Sequence, residues 1–310
     1  MRRWPVRVLW LAGIGLASGA VAPQSQPPQG AFRATTEVVI VDALVTRNGR
    51  PVEGLTAADF DVRDSGVRQT IQLVGMDRIP VDLRLVLDVS GSLEGQQLEA
   101  LKSAARAAIA GLRSGDRGEI LTFSDVVQRR AAWTSDHAVL DREIDRISSV
   151  GWTALVDAVF TALALPEQEG RRTLGLVFTD GLDTSSWLSP ADVVRSARQS
   201  RTILYGVTTM PVGSIRPDMV PRLRELLLEH PTAFRSAFLP VVVEETSGEL
   251  LFAGAMNDLR ATFVNVVSRF NQRYLLSYVP TGVPGAGWHT IDVQVKDKGL
   301  RVAARRGYDR

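Results

Sequence analysis

The spacing of hydrophobic positions changes character twice along the chain. From Glu37 to Val74 it is of the strand type. Glu37–Thr46 is rich in Val and Ile, and Phe60–Arg63 and Gln69–Val74 read as two short strands joined by Asp64-Ser65-Gly66. Asn48-Gly49 supplies a pair that tolerates positive φ in a hairpin turn, and Thr56-Ala57-Ala58-Asp59 has the form of a capped helical turn. From Val81 onward, buried strands alternate with amphipathic helices. Leu83–Leu87 is apolar apart from Arg84 and ends at Asp88. Leu98, Leu101, Ala105, Ala108, Ile109 and Leu112 then recur at helical spacing and stop at Gly115. Ile120–Phe123 and Val126–Trp133 read as strands, Asp136–Ile147 and Thr153–Leu165 as helices. Leu174–Phe178 and Thr202–Val207 are strands on either side of a helix at Ser189–Gln199, with Ser189 as its cap and Pro190 in its first position. Met210–Leu239 interrupts this rhythm with one charged helix, Val220–Glu229, whose residues Arg222–Glu229 read as a solvated face. Glu249–Phe252 and Met256–Phe270 follow as a last strand and a last helix. Strand patterning then returns in Tyr274–Val279, Thr290–Val295 and Leu300–Ala304, and the aromatic residues of Phe270–Tyr278 read as core.

This order predicts an α/β fold: a doubly wound, mainly parallel sheet over residues 81–272, covered on both faces. The β segments 37–80 and 273–310 are each too short to close a two-sided core alone. They are expected to form one small β-sandwich into which the α/β part is inserted.

The first 36 residues belong to neither pattern. Met1–Arg7 is basic, Val8–Leu16 is an apolar run, and Ala17–Ala22 offers small residues, the layout of a secretory signal peptide over 1–22. Pro23 favours cutting near Ala20, and the Pro/Gln-rich stretch 23–36 reads as a linker. No later run is long enough to span a bilayer, so an exported protein, periplasmic or secreted, is expected. The net charge of +2 comes from 36 basic and 34 acidic residues. Removing Arg2, Arg3 and Arg7 with the leader leaves 33 against 34, and nucleic-acid binding loses its electrostatic footing. There is no Cys, so neither a disulfide nor a lipid-modified Cys is available.

Candidate chemistry collects where strands hand over to helices. Asp88-Val89-Ser90-Gly91-Ser92 closes the first buried strand, and Thr153 and Asp180 stand at two equivalent junctions. In an open α/β sheet this is the edge at which ligands bind. A carboxylate and two hydroxyls from one loop are hard oxygen donors, suited to Mg²⁺ or Mn²⁺ rather than to zinc. The same residue types also cap helices, and only geometry separates the two uses. The three histidines, His137, His230 and His289, lack metal-ligand spacing and read as surface residues. No Gly-x-Ser-x-Gly elbow, Walker loop or His-Glu-x-x-His occurs, and no His is placed to serve Ser90 or Ser92 as a base. Trp187 and Leu188 read as packed; exposed, they would form an apolar rim beside the metal.

Across Val81–Phe270 these residues resemble the von Willebrand factor type A (VWFA) family and its metal-ion-dependent adhesion site. The family's Asp-x-Ser-x-Ser falls on Asp88, Ser90 and Ser92, its Thr on Thr153, and its later Asp on Asp180. Trp152 departs from the pattern, since a Gly commonly precedes that Thr. Val45-Thr46, Gly49-Arg50-Pro51-Val52, Gly54-Leu55-Thr56, Asp59-Phe60 and Asp64-Ser65-Gly66, with Tyr274–Tyr278 and Val302–Tyr308, resemble the flanks of the bacterial exported VWFA-related proteins. The resemblance implies one divalent cation held by Asp88, Ser90, Ser92, Thr153 and Asp180; Ser124 and Asp183, close in sequence to the ligand loops, are expected to support them. It further implies a non-enzymatic protein-binding module whose partner offers an acidic side chain to the metal, with Trp152 and Trp187 at the rim. A structural or envelope-assembly component with a vestigial metal site is the alternative, and a metal-assisted hydrolase stands third.

Overall fold

A computed structural model describes residues 38–74, 79–210, 219–230 and 235–310. The expected leader and linker lie outside these residues, as does part of the 210–239 interruption. In chain order, the first β segment gives β1 (Val39–Arg47), β2 (Arg50–Pro51), β3 (Phe60–Asp64), β4 (Val67–Arg68) and β5 (Gln72–Val74). The α/β part gives β6 (Val81–Asp88), α1 (Gln96–Ala110), β7 (Arg117–Phe123), β8 (Val127–Thr134), α2 (His137–Asp145) and α3 (Leu155–Ala164). It continues with β9 (Arg172–Thr179), α4 (Pro190–Gln199), β10 (Ile203–Thr208), α5 (Val220–Glu229), α6 (Phe238–Glu245), β11 (Leu250–Phe252) and α7 (Leu259–Asn271). The chain ends with β12 (Tyr274–Tyr278), β13 (Trp288–Val295), β14 (Arg301–Ala304) and β15 (Gly307–Asp309).

The central sheet has the order β11-β10-β9-β6-β7-β8. All its pairings are parallel except β7 with β8. β6 is buried along its whole length, as a strand covered on both faces must be. Its Leu83, Leu85 and Leu87 join α1, α2 and α7 in one hydrophobic cluster, while Val86 joins α3, α4, α5 and α6 in another. Arg84 points into that second layer and is neutralised by Glu119, its register partner on β7 (2.6 Å). α4 begins as its sequence predicts, with Ser189 and Asp192 in a reciprocal capping box and Pro190 in the first turn.

The terminal β segments interleave. One sheet has the order β14-β1-β12-β5, with β2 paired to β1; a second has the order β15-β13-β3-β4. Val39, Val41, Ala43 and Val45 of β1, with Tyr274 and Leu276 of the neighbouring β12, face Phe60, Val62 and Ile291 across the sandwich core. Asn48 and Gly49 take positive φ (51° and 77°) in the β1–β2 turn, the conformation that residue pair tolerates.

Two features depart from the sequence reading, and one stretch it left unassigned forms a helix. The expected strand Gln69–Val74 is shortened to β5, which pairs with β12, while β4 just before it stays with β3, so residues 69–71 form the crossing between the two sheets. Gln69 ties the crossing by bonding the Thr281 backbone. Val241–Val243 lies in a helix, α6, despite its β-branched run, because its side chains are buried among α4, α5 and the sheet and burial outweighs propensity. His289 is buried, not on the surface, and its Nδ1 lies 2.8 Å from Asp64 Oδ1.

Candidate metal centre

β6 has β7 on one side and β9 on the other, so the chain leaves these strands in different directions and opens a crevice at their carboxyl ends. Asp88, the last residue of β6, is fully buried there. Its Oδ1 accepts from the Ser90 backbone N–H (3.0 Å) and its Oδ2 from the Thr179 hydroxyl (2.7 Å). Ser90 Oγ lies 3.2 Å from Ser92 Oγ, and Ser92 Oγ donates to Asp180 Oδ1 (3.0 Å). Thr153 Oγ1 stands beside the Asp180-Gly181 turn: a Cβ built on Gly181 would lie 3.9 Å from it. Four of the five sequence-derived ligands thus form one hydrogen-bonded chain, and the fifth hydroxyl stands next to it.

Backbone bonds hold these loops in place. The Val89 N–H donates to Phe123 O at the end of β7, and the Gly91 N–H to Gly151 O, both at 2.9 Å. Gly151 has φ +82°, and a Cβ there would lie 2.0 Å from Asp125 Oδ2, so only glycine fits. Asp125 Oδ1 also accepts the Trp152 N–H (3.0 Å). The loop glycine therefore sits one position earlier than the family pattern places it, and Asp125 fills the space beside it. The Thr153 backbone is fixed by the Thr184 hydroxyl (2.9 Å) and the Thr184 N–H (2.8 Å).

Ser124 and Asp183 do not bond the ligand side chains. Ser124 O accepts the Ala154 N–H (2.8 Å), and Asp183 accepts from the Val156 N–H (3.1 Å), the Ser186 hydroxyl and Arg235 (2.6 Å). Both anchor the start of α3, just after Thr153. Thr179 and Asp125, which the sequence reading missed, touch the site more directly. Neither had a visible signal beyond adjacency to Asp180 and Ser124.

The hydroxyls are not engaged as helix caps. The residues capping α1 and α3 are Gly95 and Ala154, which offer no side-chain cap, and the free N–H groups of Val156 and Asp157 in α3 are taken by Asp183 and Ser186, not by the candidate ligands. Thr153 Oγ1 makes no protein hydrogen bond among the described residues. Burial, reinforced by the charge of Asp180, pushes the Asp88 carboxyl up to about 6, against opposing hydrogen bonds from Ser90 and Thr179. Burial also raises Asp180. A buried and a half-buried carboxylate, both held above their ordinary range, are what a dication would relieve. Among the described residues no cluster of three or more His, Cys, Asp or Glu stands elsewhere to compete for a metal. Adjacent oxygens of an octahedron at about 2.1 Å from a metal lie about 3 Å apart, close to the Ser90–Ser92 and Ser92–Asp180 separations. The residues fit a hard divalent cation.

The rim is apolar. Trp152 is 69% exposed and Trp187 92%, so Trp187 is not packed as expected, while Leu188 is half-buried. Asp157 accepts the backbone N–H groups of Trp187 (3.0 Å) and Leu188 (2.9 Å), which fixes the backbone while the indole stays in solvent.

Comparison with known proteins places this architecture. Residues 83–199 match the family model of the von Willebrand factor type A domain, and this part of the chain is such a domain. An uncharacterized protein of Synechocystis is 33% identical over 110 residues, covering 34% of this chain and 26% of its own length. The human inter-alpha-trypsin inhibitor heavy chain H6 is 26% identical over 201 residues, or 60% of this chain and 15% of its own length. The chain thus spans about a quarter or less of these relatives. Among solved structures, mussel byssus proximal thread matrix protein 1, with a zinc-occupied adhesion-site motif, superposes with a TM-score of 0.50 at 16% identity. That match covers 66% of this chain and 49% of the mussel chain, and the likeness is one of fold.

Proposed function

We propose that the chain is an exported, divalent-cation-dependent protein-binding module. Asp88, Ser90, Ser92, Thr153 and Asp180 hold the cation, directly or through water. The observation that carries this reading is the convergence of two carboxylates, Asp88 buried and Asp180 half-buried, with three hydroxyls, and no helix capped by them. Two carboxylates leave a dication its Lewis acidity and a coordination position, which an acidic side chain of a protein partner fills. Metal and partner then bind each other's site more tightly than either alone. Trp152 and Trp187 flank that position as aromatic contacts of low conformational cost. The module acts by binding, without catalysis. Export rests on the basic, apolar and small-residue succession over 1–22. Among the described residues no helix is long and apolar enough to cross a membrane.

Calorimetry with Mg²⁺, Mn²⁺ and Zn²⁺ tests the metal, zinc being included because the mussel protein carries it in the corresponding motif. Affinity capture from a native envelope, with Mg²⁺ and then with chelator, tests the partner. Partner capture lost with chelator, and lost equally in Asp88→Asn, is expected. Absence of binding by all three ions at millimolar concentration overturns the adhesion-site reading.

A further inference from the structure

A second cavity, of about 630 Å³, lies at the opposite pole, where the α/β strands begin and the sandwich meets them. One wall is built from arginines: Arg171 and Arg172 at the start of β9, Arg198 at the end of α4, Arg201, and Arg305 after β14. The other wall is apolar. On β1, Asp42 and Leu44 turn toward the α/β part, and the preceding residues of the same face, Val38 and Ile40, are left 54% and 52% exposed at the cavity mouth. Ile79 and Phe270 continue that wall.

The carboxylates near this wall are too few for the arginines. Asp82 is shared by Arg171 and Arg117, Asp42 by Arg172 and Arg273, and Glu245 by Arg198 and Arg224. Glu167 pairs with Arg201, and its two oxygens already accept from the Ser200 and Thr202 hydroxyls and from the Arg201 N–H and Nε. Arg305 has no ion pair among the described residues. Its guanidinium donates to two carbonyls, Arg198 O (2.9 Å) and Ser200 O (2.6 Å). Burial lowers its pKa, Glu167 opposing and Arg201 adding to the effect. Asp309, exposed at the mouth, is the remaining acidic group lining the cavity. A half-buried guanidinium without a counter-ion is costly to hold, and an incoming anion offsets that cost through charge-assisted hydrogen bonds.

We propose that this cleft binds an amphipathic anion, its phosphate or carboxylate head among Arg198, Arg201 and Arg305 and its apolar body against Val38, Ile40 and Ile79. The site is separate from the metal centre and independent of it. Free amphiphiles and membrane lipid headgroups share this chemistry, and the test distinguishes them. Calorimetry on the full chain, in chelator, uses octyl phosphate as probe with octyl glucoside as the neutral control. Saturable binding of octyl phosphate alone is expected, weakened at least tenfold in Arg305→Met and in Ile40→Asp. The second variant alters only an exposed wall residue, so it remains informative if Arg305→Met fails to fold. Sedimentation with phosphatidylglycerol vesicles then assigns the source: retention abolished by the same variants points to a lipid headgroup, and no retention to a free amphiphile. Octyl phosphate bound no better than octyl glucoside, or bound undiminished by Ile40→Asp, overturns the proposal.

Discussion

Two fully buried aspartates in this chain have opposite electrostatics, and the number of donors around each explains why. Asp64, at the end of β3, is raised by burial. Hydrogen bonds from His289, Tyr308, Tyr278 and Ser65 more than offset that, and its carboxyl lies below the ordinary range. Burial, joined by the same contact with Asp64, pushes the Tyr308 hydroxyl up to about 12. Asp88 has fewer donors and the like charge of Asp180 nearby, so burial dominates. The signs of their pH dependence are therefore opposite. A lowered Asp64 stabilises the fold above its ordinary pKa, and that contribution is lost as pH falls through the folded value. Asp64→Ala strands three buried donors, each worth about 1–3 kcal/mol, so melts at pH 7 should show a loss of about 3 kcal/mol or more. An unchanged melt would remove Asp64 as the pin of the sandwich. A raised Asp88 favours its protonated form, so metal-free stability declines as pH rises from about 4 through about 6. Asp88→Asn should abolish Mg²⁺ binding in calorimetry. In chelator at pH 8 it should be more stable than the parent by about 1–3 kcal/mol, from a shift of about two units. A variant less stable than the parent at pH 8 would show that the Asp88 charge is already compensated.

Among the elements, the loop between β9 and α4 is where rigidity and exposure meet. Asp157 fixes the backbone of Trp187 while 92% of the residue's surface is in water. Among the described residues nothing packs on that indole, so Trp187→Ser should leave the melting temperature unchanged and weaken metal-dependent partner capture about tenfold or more. Equal capture by the variant would confine recognition to the metal. The elements of the α/β part were legible because their apolar residues repeat with one clear period: Leu83, Leu85 and Leu87 on β6, and Leu98, Leu101 and Ala105 along α1. The candidate ligands were legible because they cluster at strand ends, where few residue types perform that chemistry. What stayed hidden depends on contacts distant in sequence. Val241–Val243 has strand-like residues and becomes helical through burial among α4, α5 and the sheet. Gln69–Val74 reads as one strand, and only the pairing of β4 with β3 and of β5 with β12 reveals that its first residues are the crossing between two sheets. Trp187 looks like core from its residue type, and its exposure follows from a carboxylate 30 residues away.

Across the whole molecule, the sandwich and the α/β part are joined at one buried guanidinium. Arg273, between α7 and β12, is fully buried. It bonds Asp42 of β1, the Tyr205 hydroxyl of β10 (3.2 Å), Ser247 Oγ (3.0 Å) and the carbonyls of Asp42 and Ala303. A single side chain therefore connects the end of the last helix, the central sheet and two sandwich strands. Arg172 crosses the same seam to Asp42 and stacks on Phe270, 4.2 Å from the ring centre. Because Arg172 still neutralises Asp42, Arg273→Met leaves no unpaired buried charge. The cost should be that of the lost hydrogen bonds, about 2–4 kcal/mol. It should fall unevenly. β6 and β9 lie in a core formed by α/β residues alone, whereas β1 and β12 meet that core across the seam. Hydrogen exchange on Arg273→Met should therefore show faster exchange in β1 and β12 while β6 and β9 keep their protection. Uniform loss of protection across all four strands would instead mean that the two parts unfold as one unit and that the seam is no weaker than either core.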